Sequence, residues 1–114
     1  MRSLEGEQSL VRIFIGESDK WHHQSLQTAL LERLRKEGFA GATVMHGLAG
    51  FGAHSRIHTA NILRLSEDLP VIIEIVDTDE HIERLKPILD EMILEGLVTI
   101  EKVHVLRYLP KQKT

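Results

Sequence analysis

Pro70-Val71-Ile72-Ile73-Glu74-Ile75-Val76 is a run with apolar residues at both parities. A strand of that kind is covered on both faces, so it belongs in the interior of a sheet. Leu10-Val11-Arg12-Ile13-Phe14-Ile15 has the same character, with Arg12 as its polar interruption. Downstream of the first run, Asp77 and Glu80 stand three apart and fit a capping box that would open a helix. That helix carries Ile82, Leu85, Leu89, Met92 and Ile93 at helical spacing. Pro87 lies inside it and deletes one intrahelical hydrogen bond, which predicts a kink or a restart. Gly96 ends it, and residues 97–106 read as the last strand, followed by a frayed tail at 111–114.

Toward the start of the chain, residues 41–46 read as a strand with Ala42, Val44 and His46 on one side and Thr43 and Met45 on the other. Gly16-Glu17-Ser18-Asp19 interrupts the first strand, and Ser18 or Asp19 can cap a helix reaching about Lys36. Leu26, Ala29, Leu30 and Leu34 form its apolar stripe, and Gly38 is its stop. Residues 1–8 are polar and read as a loose arm.

The order strand, helix, strand, strand, helix, strand is the ferredoxin-like βαββαβ plan, an α+β fold with a four-stranded antiparallel sheet and two helices on one face. It places the first and third strands centrally, where the two doubly apolar runs belong. Two helices cover one face only. The other face, including those of residues 10–15 and 71–76, is expected to be buried against further copies of the chain, with Ile73 as a position where a charge would abolish assembly or folding.

With 114 residues, 42% apolar and 27% charged, the chain has the content of a single domain, with a core at about 9–108 and flexible termini. A formal charge of −3 without a long basic block offers no electrostatic footprint for nucleic acid. There are no cysteines, which excludes disulfides, thiolate nucleophiles and thiolate metal ligands. No secretory apolar region and no apolar run of about eighteen residues is present, so a soluble cytoplasmic protein is expected.

Between the second and third strands lie residues 47–70, far more than a hairpin needs; connections of that length are functional or disordered. Ile57, Ile62, Leu63 and Leu65 give the segment apolar contacts to make, which favours a functional loop. Gly47, Gly50 and Gly52 supply a backbone that can turn tightly or approach a ligand closely. Gly50-Phe51-Gly52 is open to two readings, a ligand cradle or a strained turn with a packed phenylalanine. His54 and His58, four apart, would suit a metal on a helix, but no third ligand is evident and the segment reads as loop, so no metal site is assigned. Glu17 and Asp19 read as cap and turn groups more readily than as an acid–base pair, and Trp21 and Tyr108 as packing or interface anchors. Nucleophile-elbow, Walker and His-Glu-x-x-His motifs are absent, so no catalytic residue is assigned.

Gly50-Phe51-Gly52 at the base of a long loop, with Gly41-Ala42-Thr43-Val44 before it and Pro70-Val71-Ile72-Ile73-Glu74-Ile75-Val76 after it, resembles the nitrogen-regulatory PII signalling proteins. Gly16-Glu17-Ser18-Asp19-Lys20-Trp21-His22, Gly-Phe-Gly-Ala-His-Ser-Arg-Ile-His and Leu-Ser-Glu-Asp-Leu-Pro are more similar to a PII-like branch of unassigned function. The likeness spans about residues 10–107. It implies a homotrimer that binds an adenine nucleotide (ATP, ADP or AMP) at subunit clefts and reports to a partner through the long T-loop. Members of the branch are often encoded beside a fluoride-exporting channel, which points to a membrane transport protein as partner.

Carried over residue by residue, the resemblance implies nucleotide contacts from Thr43, Gly50, Phe51 and Gly52, and from Arg107 of a neighbouring subunit. His54, Arg56, Ile57, His58, Ile62 and Leu65 would be the T-loop's partner-facing residues. One departure follows the second helix, where PII proteins carry a Gly-rich, lysine-bearing loop and this chain runs from Glu95-Gly96 straight into Leu97-Val98-Thr99. Lys102, Arg56 and Lys20 are candidate substitutes. Two other classes stay open: a divalent-metal-binding trimer similar to the cation tolerance proteins that share the fold, and a small enzyme acting on a phosphorylated metabolite.

Overall fold

The structure is a computed structural model that describes residues 2–51, 58–59 and 69–111. Its elements are β1 (Leu4–Gly16), β2 (Lys20–Trp21), β3 (Gln24–Ser25), α1 (Leu26–Lys36), β4 (Thr43–His46), β5 (Ala49–Gly50), β6 (His58–Thr59), β7 (Pro70–Asp77), α2 (Asp79–Met92) and β8 (Leu97–Tyr108). The main sheet is antiparallel with strand order β4-β7-β1-β8. The two doubly apolar runs therefore take the central positions, as the ferredoxin-like plan requires.

Strand periodicity divides those runs between two different environments. Val11, Ile13 and Ile15 of β1 and Val71, Ile73 and Ile75 of β7 face the helices and are buried. Leu26, Ala29, Leu30 and Leu34 of α1 and Ile82, Leu85, Ile88 and Met92 of α2 close over them. Each large aliphatic side chain so buried contributes about 1.5–3 kcal/mol of transfer free energy. Ile73 belongs to this core and not to the uncovered face, because its parity is that of Val71 and Ile75.

The opposite face is open, and register arranges it in rows. Met45, Ile72, Phe14 and Leu97 align across all four strands as an apolar row. The next row is Thr43, Glu74, Arg12 and Thr99. Arg12 there donates to Glu74 at 2.7 Å and to Glu101 at 2.6 Å, so the polar interruption of β1 spans three strands.

Several local expectations are corrected. Residues 4–8, expected in a loose arm, belong to β1, because they pair with the end of β8, which itself runs to Tyr108. A bulge between Leu4 and Gly6 bends this ribbon, and Gly6 takes φ +85°, which a β-carbon would penalise. Neither Ser18 nor Asp19 caps α1. Asp19 instead accepts from the Gly16 N–H at 3.0 Å, the small β2–β3 hairpin intervenes, and the helix starts at Leu26. Asp77 does not open a capping box with Glu80; Thr78 is the N-cap and accepts from the His81 N–H at 3.2 Å. Finally, α2 runs through Pro87 without restarting. Pro87 and Glu83 are on the exposed side, where water can take the carbonyl that proline leaves without a donor.

Candidate functional site

At one end of the open face a groove of about 390 Å³ lies between the start of β4 and the end of β8. The bend at Gly6 creates it. Past the bulge the β1–β8 ribbon leans over the sheet until the Tyr108 hydroxyl donates to the Ala40 carbonyl at 3.0 Å. Leu4, Val76, Val105 and Tyr108 form its apolar walls, residues 40–43 its lip, and the Glu74 carboxylate its polar floor. An apolar slot with a few convergent polar groups suits a flat, amphipathic ligand.

The lip is held by a buried charge. Asp77 has no exposed side-chain area and accepts both Arg2 guanidinium N–H groups at 2.8 and 2.9 Å. It also accepts the Ala40 N–H at 2.8 Å and the Thr78 N–H at 2.7 Å. Burial works against its ionisation, yet the hydrogen bonds from Arg2, Ala40 and Thr78 together outweigh that and hold the carboxyl below the usual carboxylate range. The Arg12 guanidinium, cationic at any ordinary pH, is bound to Glu74 and Glu101, so the groove's floor keeps its negative charge paired.

Of the sequence-predicted residues, Thr43 lines this groove. Arg107 is exposed beside Tyr108 on β8. Gly50 and Phe51 sit past the opposite end of β4, at the loop base, where Phe51 is 72% exposed. Gly50 pairs with His58 through β5 and β6, and the Gly47 N–H donates to the Pro70 carbonyl at 2.8 Å. A β-carbon on Gly50 would come within 2.7 Å of the Pro70 ring, so close packing on that proline accounts for the glycine. Lys102 lies on the helix side of β8. Its ammonium is bound to both Asp79 oxygens at 2.6 and 2.7 Å and donates to the Ser9 hydroxyl. That pairing holds the Asp79 carboxyl low, through Lys102 first and then Ser9. Lys102 and Thr43 are thus on opposite faces and three strand spacings apart, roughly 14 Å.

Gly52, His54, Arg56, Ile57, Ile62 and Leu65 lie outside the described residues, as does the side chain of His58. Among the described residues no group of three or more His, Cys, Asp or Glu side chains could hold a metal ion, and no helix is long and apolar enough to cross a membrane. Glu74, Ala40 and Leu4 are groove residues that the sequence reading did not assign. A signal existed for Glu74: it is the one charge within the otherwise apolar 70–76 run.

Known proteins agree with this architecture. The chain is 38% identical over 99 residues to the UPF0166 protein MJ1524 of Methanocaldococcus jannaschii, covering 86% of this chain and 91% of that one. A UPF0166 protein of Aquifex aeolicus is 35% identical over 102 residues, covering 88% and 94%. Among solved structures, a PII-like signaling protein of Thermus thermophilus superposes with a TM-score of 0.64 at 20% identity, over 93% of this chain and 94% of that one. CPII of Thiomonas intermedia, a nitrogen regulatory PII-like protein bound to ADP, AMP and bicarbonate, gives 0.64 at 15% identity, over 92% and 99%. At these identities the structural likeness establishes the fold, a PII-like one, and nothing finer. Residues 8–105 match the model of the DUF190 family, described as an uncharacterized ACR, and the chain belongs to that family.

Proposed function

We propose that this protein is a non-enzymatic PII-like regulator: a homotrimer that binds an adenine nucleotide at its subunit clefts and signals to a partner through residues 52–69. The observation that carries the reading is the groove. It has the apolar walls and polar floor that an adenosine moiety needs, and Thr43 lines it. CPII, with the same fold, is bound to ADP and AMP, which supports the ligand class.

Geometry supports a site shared between copies. Within one chain the groove and the glycines of the loop base lie past opposite ends of β4. A second copy that brought its loop base, or its Arg107, to the groove would let one compact ligand touch both. The apolar row Met45, Ile72, Phe14 and Leu97 on the open face supplies a surface for that copy to cover. Binding would signal only insofar as the nucleotide contacts one arrangement of the loop better than another. A membrane transport protein is the partner we propose, with the exposed Leu48 beside the loop as one of its first contacts.

Light scattering together with a thermal-shift series of ATP, ADP, AMP and divalent cations tests this reading. A trimer whose melting temperature rises with an adenine nucleotide is the expected result. A monomer would remove the basis for any site between subunits, and a chelator-sensitive shift with zinc or copper and none with nucleotides would replace the reading with the metal-binding one.

A further inference from the structure

Both main-chain groups of Ala40 are bound by side chains from distant parts of the chain: its N–H by Asp77, its carbonyl by Tyr108. The neighbouring Gly38 carbonyl accepts from Arg2 at 3.0 Å, and the same guanidinium grips Asp77. Three side chains, each 36 to 68 residues away from it in sequence, thus converge on one short connection, between α1 and β4, which forms the lip of the groove.

We infer that Arg2 and Tyr108 are positioning residues of the groove. They act through Asp77 and Ala40 to clasp residues 40–43, so that the width of the slot is set by the segment preceding β1 and by the last residue of β8. The lip needs such fixing. Its first regular pairing with the sheet begins only at Thr43, whereas the last helical hydrogen bonds behind it end at Gly38 and Phe39. Between these points the peptide of Ala40 has the clasp as its support. Tyr108 is also a groove wall, so its hydroxyl ties lip and wall at a fixed separation while its ring faces the slot. A ligand in the slot would meet a preformed gap and would not have to order the lip as it binds, which raises affinity by removing an entropic cost. The inference rests on the groove being the ligand site for its effect on binding, but the clasp itself is testable without a ligand.

The experiment compares Tyr108→Phe, Arg2→Ala and Arg2→Lys with the unaltered protein by amide hydrogen exchange, and by calorimetric titration with ADP. Tyr108→Phe and Arg2→Ala are expected to speed exchange at Ala40 at least tenfold while amides of Ile13 and Ile73 in the core keep their rates. Arg2→Lys, which retains the charge but has a single donor nitrogen in place of the guanidinium fork, is expected to recover part of the protection. ADP affinity should fall about tenfold in Tyr108→Phe and should follow the order of the exchange rates across the three variants. Unchanged exchange at Ala40 in both disruptive variants overturns the clasp, as does a rise shared equally by the core amides, which would mark simple destabilisation. Faster local exchange with ADP affinity unmoved overturns the positioning role. If the unaltered protein takes up no adenine nucleotide, the nucleotide reading falls, and the exchange data alone decide the clasp.

Discussion

The two faces of the sheet are made from the same strands and nearly the same residue types, yet one is finished and the other is not. Under the helices every inward residue of β1 and β7 from Val11 to Ile75 meets apolar partners. On the open face an apolar row at the loop end gives way to an Arg12 bridge between two glutamates, and then to a groove. A core closed within one chain contributes stability and nothing else. A face left with exposed apolar side chains, paired charges and a slot is where association and ligand binding can be added without disturbing that core.

The sharpest way to break the comparison is to place the same charge on adjacent residues of β7. Ile73→Asp buries an unpaired carboxylate in the core and is expected to cost at least several kcal/mol, leaving no cooperative urea transition. Ile72→Asp, one residue away on the open face, should leave a folded protein that light scattering finds as monomer. If both variants unfold alike, the two faces do not differ in the way described.

Asp77→Asn tests the edge where the faces meet. Losing the charge-assisted bonds from Arg2 is expected to lower stability by about 2 kcal/mol in urea denaturation at neutral pH. Asp77 is depressed in the folded state, so its contribution is fully present above the ordinary carboxylate pKa of about 3.9 and is lost as pH falls through the lower folded value. The unaltered protein should therefore lose stability more steeply below about pH 4 than Asp77→Asn does. Parallel acid profiles would remove the clasp's electrostatic basis.

Arg107→Ala addresses an exposed side chain at the end of β8. If this side chain reaches a nucleotide phosphate from a neighbouring copy, calorimetry should find binding weakened on the order of ten- to a hundredfold with the melting temperature of the free protein unchanged. Equal affinity would take Arg107 out of the site.

The smallest effect is expected away from both faces. His22 and His23 at the tip of the β2–β3 hairpin both have positive φ, +47° and +68°, a conformation that two-residue turns usually give to Asn and Gly. His23→Gly should stabilise the protein by about 0.5–1 kcal/mol, and a thermal melt that shows a loss would mean the histidine makes a compensating contact.

How much of this was legible beforehand varied with the range of the interaction. The central strands and both helices were readable because hydrophobic periodicity reports which side of an element is buried. Thr43 was picked out as a candidate through its surroundings in a recognisable motif, and it lines the groove. The membership of residues 4–8 in β1 was not, since their polar sequence has no strand periodicity and the pairing partner, the end of β8, lies nearly a hundred residues away. Asp77 looked like a helix cap because local spacing is all a sequence displays, while the guanidinium that claims it sits seventy-five residues upstream.

What the sequence by itself determined was the ferredoxin-like order of elements, the choice of central strands and the incompleteness of one face, all consequences of short-range patterning and of two helices being too few to cover two faces. Tertiary structure alone decided which parity of β7 is core, that Lys102 is spent on Asp79 on the far side of the sheet from Thr43, and that a bend at Gly6 brings Tyr108 over the strands to make a groove. These depend on the register between strands and on where a twisted ribbon ends in space, and pairwise distances across a sheet are not encoded in the spacing of residues along it.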